Sequence, residues 1–494
     1  MVDILRRGRL SVHDDEMIEF TSSMDADKYI FDADILVDLA HTIMLKEQGI
    51  IKEDICKDIL KGLIAIQSQG IEILDATQED IHISLESKLI EMVGEDIGGR
   101  MHSGRSRNDE VATCIRIALR EELIHLIIDL INLCKVLQKI AENNIETIMP
   151  GFTHLQHAQP TTLAHHMMAH AGAFMRDISR LFDAYNRVNL SPLGSAAFAS
   201  TGFNVDRNRT KELLGFDGLI ENSMDAVSSR DFLIETASAF SNIMINLSKM
   251  AEEIIIWSTT EFNFIEIDDK YASTSSIMPQ KKNPDTAELI RGKCGVVVGS
   301  LSALFITCKG LPLSYNRDLQ EATPNIWRSI ETTRASVRIM AKMIETMKVK
   351  KEVMLHQSAF GFTTATELAD CFVREANIPF RTAHQIVGML AQKSTDGKDI
   401  GLCEIDSVSL KIIGKKLSEC GLTESIVKNA LDPMQNIINR TVIGGPAPST
   451  MENAIQNKIF ELFEYENRVN KLQENIEDAF EKLDDAVLKI CDKL

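Results

Sequence analysis

Residues 111–148 read VATCIRIALREELIHLIIDLINLCKVLQKIAENNIETI. Leu123, Ile124, Ile127, Ile128, Ile131, Cys134, Leu137 and Ile140 recur at the intervals that place side chains on one face of an α-helix. No proline interrupts the run, and proline placement extends the argument along the chain. None of the eleven prolines precedes Pro150, none lies between Pro192 and Pro279, and none between Pro324 and Pro379. An interior proline removes a helical hydrogen bond and clashes with the preceding turn, so such gaps admit long helices. Apolar residues at helical spacing also fill 161–190, about 225–262, 284–309 and 325–347. Their starts carry stop-and-start signals: Pro160 before Thr161, Asp225 before its run, and Asn283-Pro284 as an N-cap followed by proline at the first helical position. A helix of ~35 residues is about 50 Å long. The five runs therefore predict a central bundle of long helices over 111–360. Residues 1–110 predict a helical domain of shorter elements. Residues 361–494 predict a small helical domain split by Gly401, Gly421 and Gly444-Gly445-Pro446. Strand signals are weak throughout, and the expected fold is all-α with three domains.

Composition narrows the class of function. The formal net charge is −19, from 53 basic and 72 acidic side chains. A field of that sign opposes a nucleic-acid or anionic-membrane partner but leaves room for an anionic small molecule held by a local cluster of donors. The nine cysteines form no Cys-x-x-Cys pair, which argues against a zinc or redox motif and for reduced thiols in a cytoplasmic protein. The start, Met1-Val2-Asp3-Ile4-Leu5-Arg6-Arg7, lacks the apolar core of a signal peptide. No apolar run approaches the ~18 residues that span a bilayer, so no membrane partner is expected.

Three polar islands interrupt the helical pattern. Gly98 to Asp109 holds three arginines, two serines, one asparagine and three glycines in twelve residues. Arginine forks bind carboxylates bidentately, and glycine lets backbone approach a ligand closely. Gly151-Phe152-Thr153-His154-Leu155-Gln156-His157-Ala158-Gln159-Pro160 leads into a helix carrying His165, His166 and His170. His166 and His170 stand four apart with no acidic ligand beside them in sequence, so a proton-transfer or orienting role is expected and no metal. The third island runs from Ser273 to Asp285, with Ser275, Lys281 and Asn283 just before a helix start. A helix N-terminus beside a lysine suits a carboxylate that gains negative charge. No Gly-x-Ser-x-Gly elbow surrounds Ser275, which argues against a serine hydrolase. Together the islands suit a cofactor-free lyase that removes a proton next to a carboxylate.

These islands resemble the fumarase/aspartase superfamily, and within it the argininosuccinate lyase family most closely. The resemblance rests on His102-Ser103-Gly104-Arg105-Ser106-Arg107-Asn108-Asp109 and Gln280-Lys281-Lys282-Asn283-Pro284-Asp285. It continues through Asn222 to Val227 and Gly310 to Glu321, and extends weakly into Ile378 to His384. It implies reversible cleavage of argininosuccinate to arginine and fumarate, without cofactor, in a homotetramer whose active sites are shared between subunits. It implies Ser275 as the base, Lys281 and Asn283 as stabilisers of the aci-carboxylate, and His154 held by Glu288. It further implies substrate contacts from Ser23, Ser106, Arg107, Asn108, Thr153, Tyr315 and Gln320.

The chain departs from the family pattern at four places. Thr274 stands where glycine usually precedes the serine pair, and its β-branch stiffens the backbone. Gly194 to Gly202 is less glycine-rich, Thr323 replaces a lysine that some members carry, and Leu5-Arg6-Arg7-Gly8-Arg9 replaces a tryptophan with paired glycines. The rival readings are a sister lyase for adenylosuccinate, fumarate or aspartate, and a non-catalytic structural protein of the lens-crystallin kind. The latter predicts a lost catalytic residue, and none of those named is missing.

Overall fold

The computed structural model describes residues 14–394, 397 and 399–491; Leu5 to Arg9 and the amino-terminal residues read above lie outside them. After two short helical segments (Asp15–Thr21 and Met24–Asp27) come three longer helices: α1 (Phe31–Glu47), α2 (Glu53–Gln69) and α3 (Ile81–Val93). The long rods follow as α4 (Arg107–Glu142), α5 (Leu163–Val188), α6 (Asp231–Ser258), α7 (Asp285–Cys308) and α8 (Ala322–Thr346). Then come α9 (Ala365–Ala376), α10 (Phe380–Ala391), α11 (Leu402–Ile413) and α12 (Pro448–Cys491). The rods pack as a bundle, with α4 against α5 and α8, and α6 against α5, α7 and α8. The all-α expectation holds.

Local chemistry explains the ends of the rods. Ser106 caps α4 by accepting from the Asn108 N–H, while Asp109 accepts from the Ser106 N–H, a reciprocal capping box. Thr162 caps α5 by accepting from the His165 N–H. Two starts need correction. The run expected from Asp225 is broken at Ser229-Arg230, so a short turn of helix (Ser223–Ser228) precedes α6. Pro284 itself takes the N-cap position of α7, and Asn283 sits in a two-residue strand instead.

Buried apolar side chains form a large and a small core. The large one takes the inner faces of the rods, including fully buried Leu126, Leu130 and Leu137 of α4. Truncating one such leucine to alanine costs about 2–5 kcal/mol. The small core gathers Phe362, Phe372, Leu390, Val408 and Leu417. The segment 361–494 divides between the two. Its last helix, α12, is 44 residues long, and Ile455, Leu462, Val469, Ile476, Leu483 and Ile490 repeat every seven residues along the side that joins the large core. α12 lies along α4. We therefore propose the small unit at about 362–431, with α12 returned to the main body.

Strands among the described residues form only two-stranded pairs. Two of them carry site residues. Strands β1 (Ile148–Thr153) and β2 (Gln156–Thr162) form a hairpin where a polar loop was expected. Gly151 marks its bulge, because a Cβ there would meet the Gln159 carbonyl at 2.7 Å. Strands β3 (Ser273–Thr274) and β4 (Lys282–Asn283) close the loop 275–281. Thr274 therefore occupies extended backbone, which a β-branched residue favours, and the stiffening expected of it falls on a strand.

One helix has an unusual surface. α7 is long and apolar enough to cross a bilayer by length and composition, with a mean hydropathy of 1.6 over its best window, of which 22% is buried. That differs from the expectation that no run comes close. Its inner stripe is Ala287, Ile290, Val297 and Leu304, while Leu289, Phe305 and Ile306 are exposed.

Candidate active site

A cavity of about 210 Å³ opens where the N-terminus of α4 meets the segment before α8. Ser23, Ser106, Arg107, Asn108, Tyr315 and Gln320 all line it, so six expected substrate contacts converge within one chain. The free N–H groups and positive dipole end of a 36-residue helix face this space, which suits an anion. Ser106 thus both caps the helix and borders the cavity. Arg107 ion-pairs with Asp80. Gln320 Nε2 donates to the Thr21 carbonyl at 3.0 Å, and Asn108 Nδ2 donates to the Ala197 carbonyl at 3.0 Å. Burial raises the Tyr315 hydroxyl above its ordinary pKa, so it enters the cavity as a donor.

The cavity also holds residues that sequence reading missed. Arg230, at the break before α6, is buried with its Nη1 bonded only to the Ser229 and Val227 carbonyls, and burial lowers its pKa. Arg317 pairs with Glu79 at 2.6 Å. Arg317 lies inside the Gly310–Glu321 stretch, so its motif was visible although its role was not. Asp27 accepts from Ser23 Oγ at 2.6 Å, and burial pushes its carboxyl up to about 6. With Thr323 in place of a lysine, the cavity's cations are arginines and His82, whose pKa, against the opposing effect of burial, is raised well above its ordinary value by Asp34 and its other carboxylate neighbours. A ligand with carboxylates at one end and a cationic group at the other matches this mixture of signs.

Not every arginine of the first island serves the cavity. Arg105 is buried and pairs with Asp38 at 2.5 Å and Glu110 at 2.8 Å, while His82 meets Asp34 at 2.8 Å. Burial raises Asp38 to about 7 and Glu110 well above the carboxylate range. This network fixes the floor of the cavity. Asp109 is similarly structural: its Oδ2 accepts from the Gly194 and Ala196 N–H groups at 2.9 and 2.8 Å.

The expected catalytic residues stand elsewhere and face outward. Ser275 opens the loop 275–281, where its Oγ accepts from the Ile277 and Met278 N–H groups at 3.3 and 3.1 Å. Two N–H donors on a hydroxyl oxygen favour its ionised form. Lys282 is tied to Asp269 at 2.6 Å and Glu266 at 3.5 Å, whereas exposed Lys281 has no ion pair among the described residues. Asn283 pairs with Ser273 in the short ladder, and Ser273 Oγ reaches Asp285. Glu288, in the first turn of α7, is exposed.

His154 and Leu155 form the two-residue turn of the β1–β2 hairpin, with φ of 57° and 58°. Such turns favour Asn-Gly, and neither residue here is glycine, so strained backbone holds His154 outward. Thr153 lines a second cavity of about 370 Å³ rather than the first. Within one chain, His154 and Glu288 make no hydrogen bond to each other.

Comparison with known proteins agrees with this architecture. A model of the Lyase family matches residues 8–299, and one described as argininosuccinate lyase C-terminal matches 362–438. An argininosuccinate lyase of Methanococcoides burtonii is 66% identical over 493 residues, covering 100% of each chain. One of Methanosarcina acetivorans is 64% identical over 494 residues, covering 100% of this chain and 99% of its own. Among solved structures, EDDS lyase in complex with formate superposes with a TM-score of 0.87 at 32% identity, covering 94% of this chain and 92% of that one. A class II fumarase from Schistosoma mansoni shares the fold alone, with a TM-score of 0.69 at 14% identity over 82% of this chain and 90% of its own. Fold and site therefore define a carbon–nitrogen lyase of the fumarase/aspartase superfamily. Within that class, the chain belongs to the argininosuccinate lyase family.

Proposed function

We propose that the chain cleaves argininosuccinate reversibly into L-arginine and fumarate, the last step of arginine biosynthesis, in the cytoplasm. The observation that carries the reading is the cavity of Ser23, Ser106, Arg107, Asn108, Tyr315 and Gln320, in which arginines and a helix N-terminus supply a cationic side and Asp27 an acidic one. The succinyl carboxylates take the cationic side, and the cationic part of the arginine moiety takes the acidic side.

Ser275, as its alkoxide, removes the proton from the carbon β to the scissile C–N bond. The electron pair passes onto the adjacent carboxylate, giving an aci-carboxylate held by Lys281 and Asn283. It then returns to form the fumarate double bond as the C–N bond breaks, and the leaving nitrogen takes a proton to depart as arginine. The Ile277 and Met278 N–H groups on Ser275 Oγ, with the Lys281 ammonium on the same loop, support an ionised serine. His154, oriented by Glu288, belongs to the same assembled site, and Thr153 contacts substrate beside it.

These groups lie on separate outward surfaces of one chain, so the reading places the complete site between subunits of a homotetramer. α7 supports that assembly. Leu289, Phe305 and Ile306 are exposed, and Gly292, Gly295 and Gly299 have open space where a Cβ would stand. Exposed apolar residues interleaved with glycines let another helix approach closely, and a facing copy of α7 accounts for its hydropathy better than a bilayer does.

The test is direct. Purified protein given argininosuccinate releases fumarate, read by ultraviolet absorbance, and arginine in equal amounts. Fumarate from adenylosuccinate or aspartate with none from argininosuccinate contradicts the assignment.

A further inference from the structure

Sequence alone gave His166 and His170 no acidic neighbour. The fold supplies one. The two histidines lie one turn apart on α5, and Glu253 of α6 packs opposite them. Both Nε2 atoms converge on one oxygen, Glu253 Oε2, at 2.8 Å from His166 and 2.6 Å from His170. The ligand atoms of all three lie within 4.8 Å of one another. The site is braced from behind, since Trp257, one turn beyond Glu253, stands edge-on to the His166 ring at 4.8 Å. We propose that His166, His170 and Glu253 form a site for a divalent transition-metal ion of the zinc or cobalt class, with its open coordination positions facing the adjoining cavity.

Three arguments carry this. Two histidines four apart on a helix plus a carboxylate from a second element is a donor set that zinc accepts, and three protein ligands leave room for water. Metal–ligand bonds of about 2.0–2.2 Å at tetrahedral angles separate ligand atoms by roughly 3.3–3.5 Å. The present contacts of 2.6–2.8 Å are shorter than that, so the Glu253 carboxylate draws back by well under ~1 Å from each ring when an ion enters. Finally, His166 and Glu253 form part of the wall of the 370 Å³ cavity, so water has access to the open positions.

Other clusters do not compete. Asp34, Asp38 and Glu110, and Asp34 with His82 and Cys114, are buried and already engaged in the Arg105 and His82 ion pairs. The proposed site lies apart from the anion cavity, and none of its three residues has a role in the proton-transfer scheme. Occupation ties α5 to α6 beside the hairpin that presents His154.

Full-length protein is stripped with chelator, dialysed, and titrated with Co²⁺ while visible absorption is followed, then with Zn²⁺ in competition. The expected result is one Co²⁺ per chain with a visible band that Zn²⁺ abolishes. The His166→Ala/His170→Ala double variant loses the band, and Glu253→Gln weakens binding. Zn²⁺ raises the Tm of the native protein but not of the double variant, whose far-UV circular dichroism reports that it is folded. No stoichiometric Co²⁺ binding by the native protein overturns the proposal. So does a band that survives in the double variant, or near-ultraviolet thiolate-to-cobalt absorption marking cysteine ligands.

Discussion

The cavity proposed for substrate and the loop proposed for catalysis are built in opposite ways. Ser106, Arg107 and Asn108 sit at the capped start of α4, on a floor fixed by the buried Arg105–Asp38–Glu110 network. The loop 275–281 stands on two short strands and projects Ile277 82% exposed, and the hairpin tip projects Leu155 72% exposed. One half is preformed within a single chain. The other is displayed, and apolar residues on display favour coverage by another surface. The difference teaches that binding and chemistry are separable here, since they rest on different supports.

The largest expected effect separates the two halves kinetically. Ser275→Ala lowers kcat by about 10³–10⁴-fold with KM little changed, as expected for loss of a base. Arg107→Ala does the reverse and chiefly raises KM. A Ser275→Ala enzyme with near-normal kcat breaks the comparison.

A smaller effect is a pH signature confined to the cavity. Asp27, raised to about 6 by burial, is ionised above that pH and protonated below it. With the cationic part of the substrate facing it, KM rises as pH falls through about 6, and Asp27→Asn abolishes this inflection while raising KM at neutral pH. An unchanged inflection in Asp27→Asn assigns it to another group.

The smallest effect concerns the 194–202 loop. Ala196 and Ser200 adopt φ of 51° and 61°, where a Cβ is strained, and this is the stretch that carries fewer glycines than the family pattern. Ala196→Gly relieves strain of about 1 kcal/mol, offset in part by the entropy of a freer unfolded chain, and raises Tm slightly or leaves it unchanged. A marked fall in Tm contradicts the strained reading.

Much of this was legible in sequence, for physical reasons. The rods announce themselves through helical periodicity and proline gaps, and the polar islands through their composition. α12 was missed, although Ile455, Leu462, Val469, Ile476, Leu483 and Ile490 repeat strictly every seven residues, because charged residues crowd the positions between them. The hairpin was not readable, because its turn uses His154-Leu155 where Asn-Gly is the usual sign. Nor could sequence separate Arg105 from Arg107, two residues apart with opposite fates. The pairing of Glu253 with His166 and His170 across two helices is a product of packing alone.

In the proposed assembly, one active site takes its cavity and its loop from different chains. Ser275→Ala protein, which lacks the base, and Arg107→Ala protein, which is silent at substrate concentrations far below its raised KM, test it most directly when they are unfolded and refolded together and assayed at such a concentration. If the halves come from different subunits, some sites in mixed oligomers receive both an intact loop and an intact cavity, and fumarate production from argininosuccinate returns. If both halves of a site belong to one chain, every site keeps a lesion and the mixture stays as inactive as its parents.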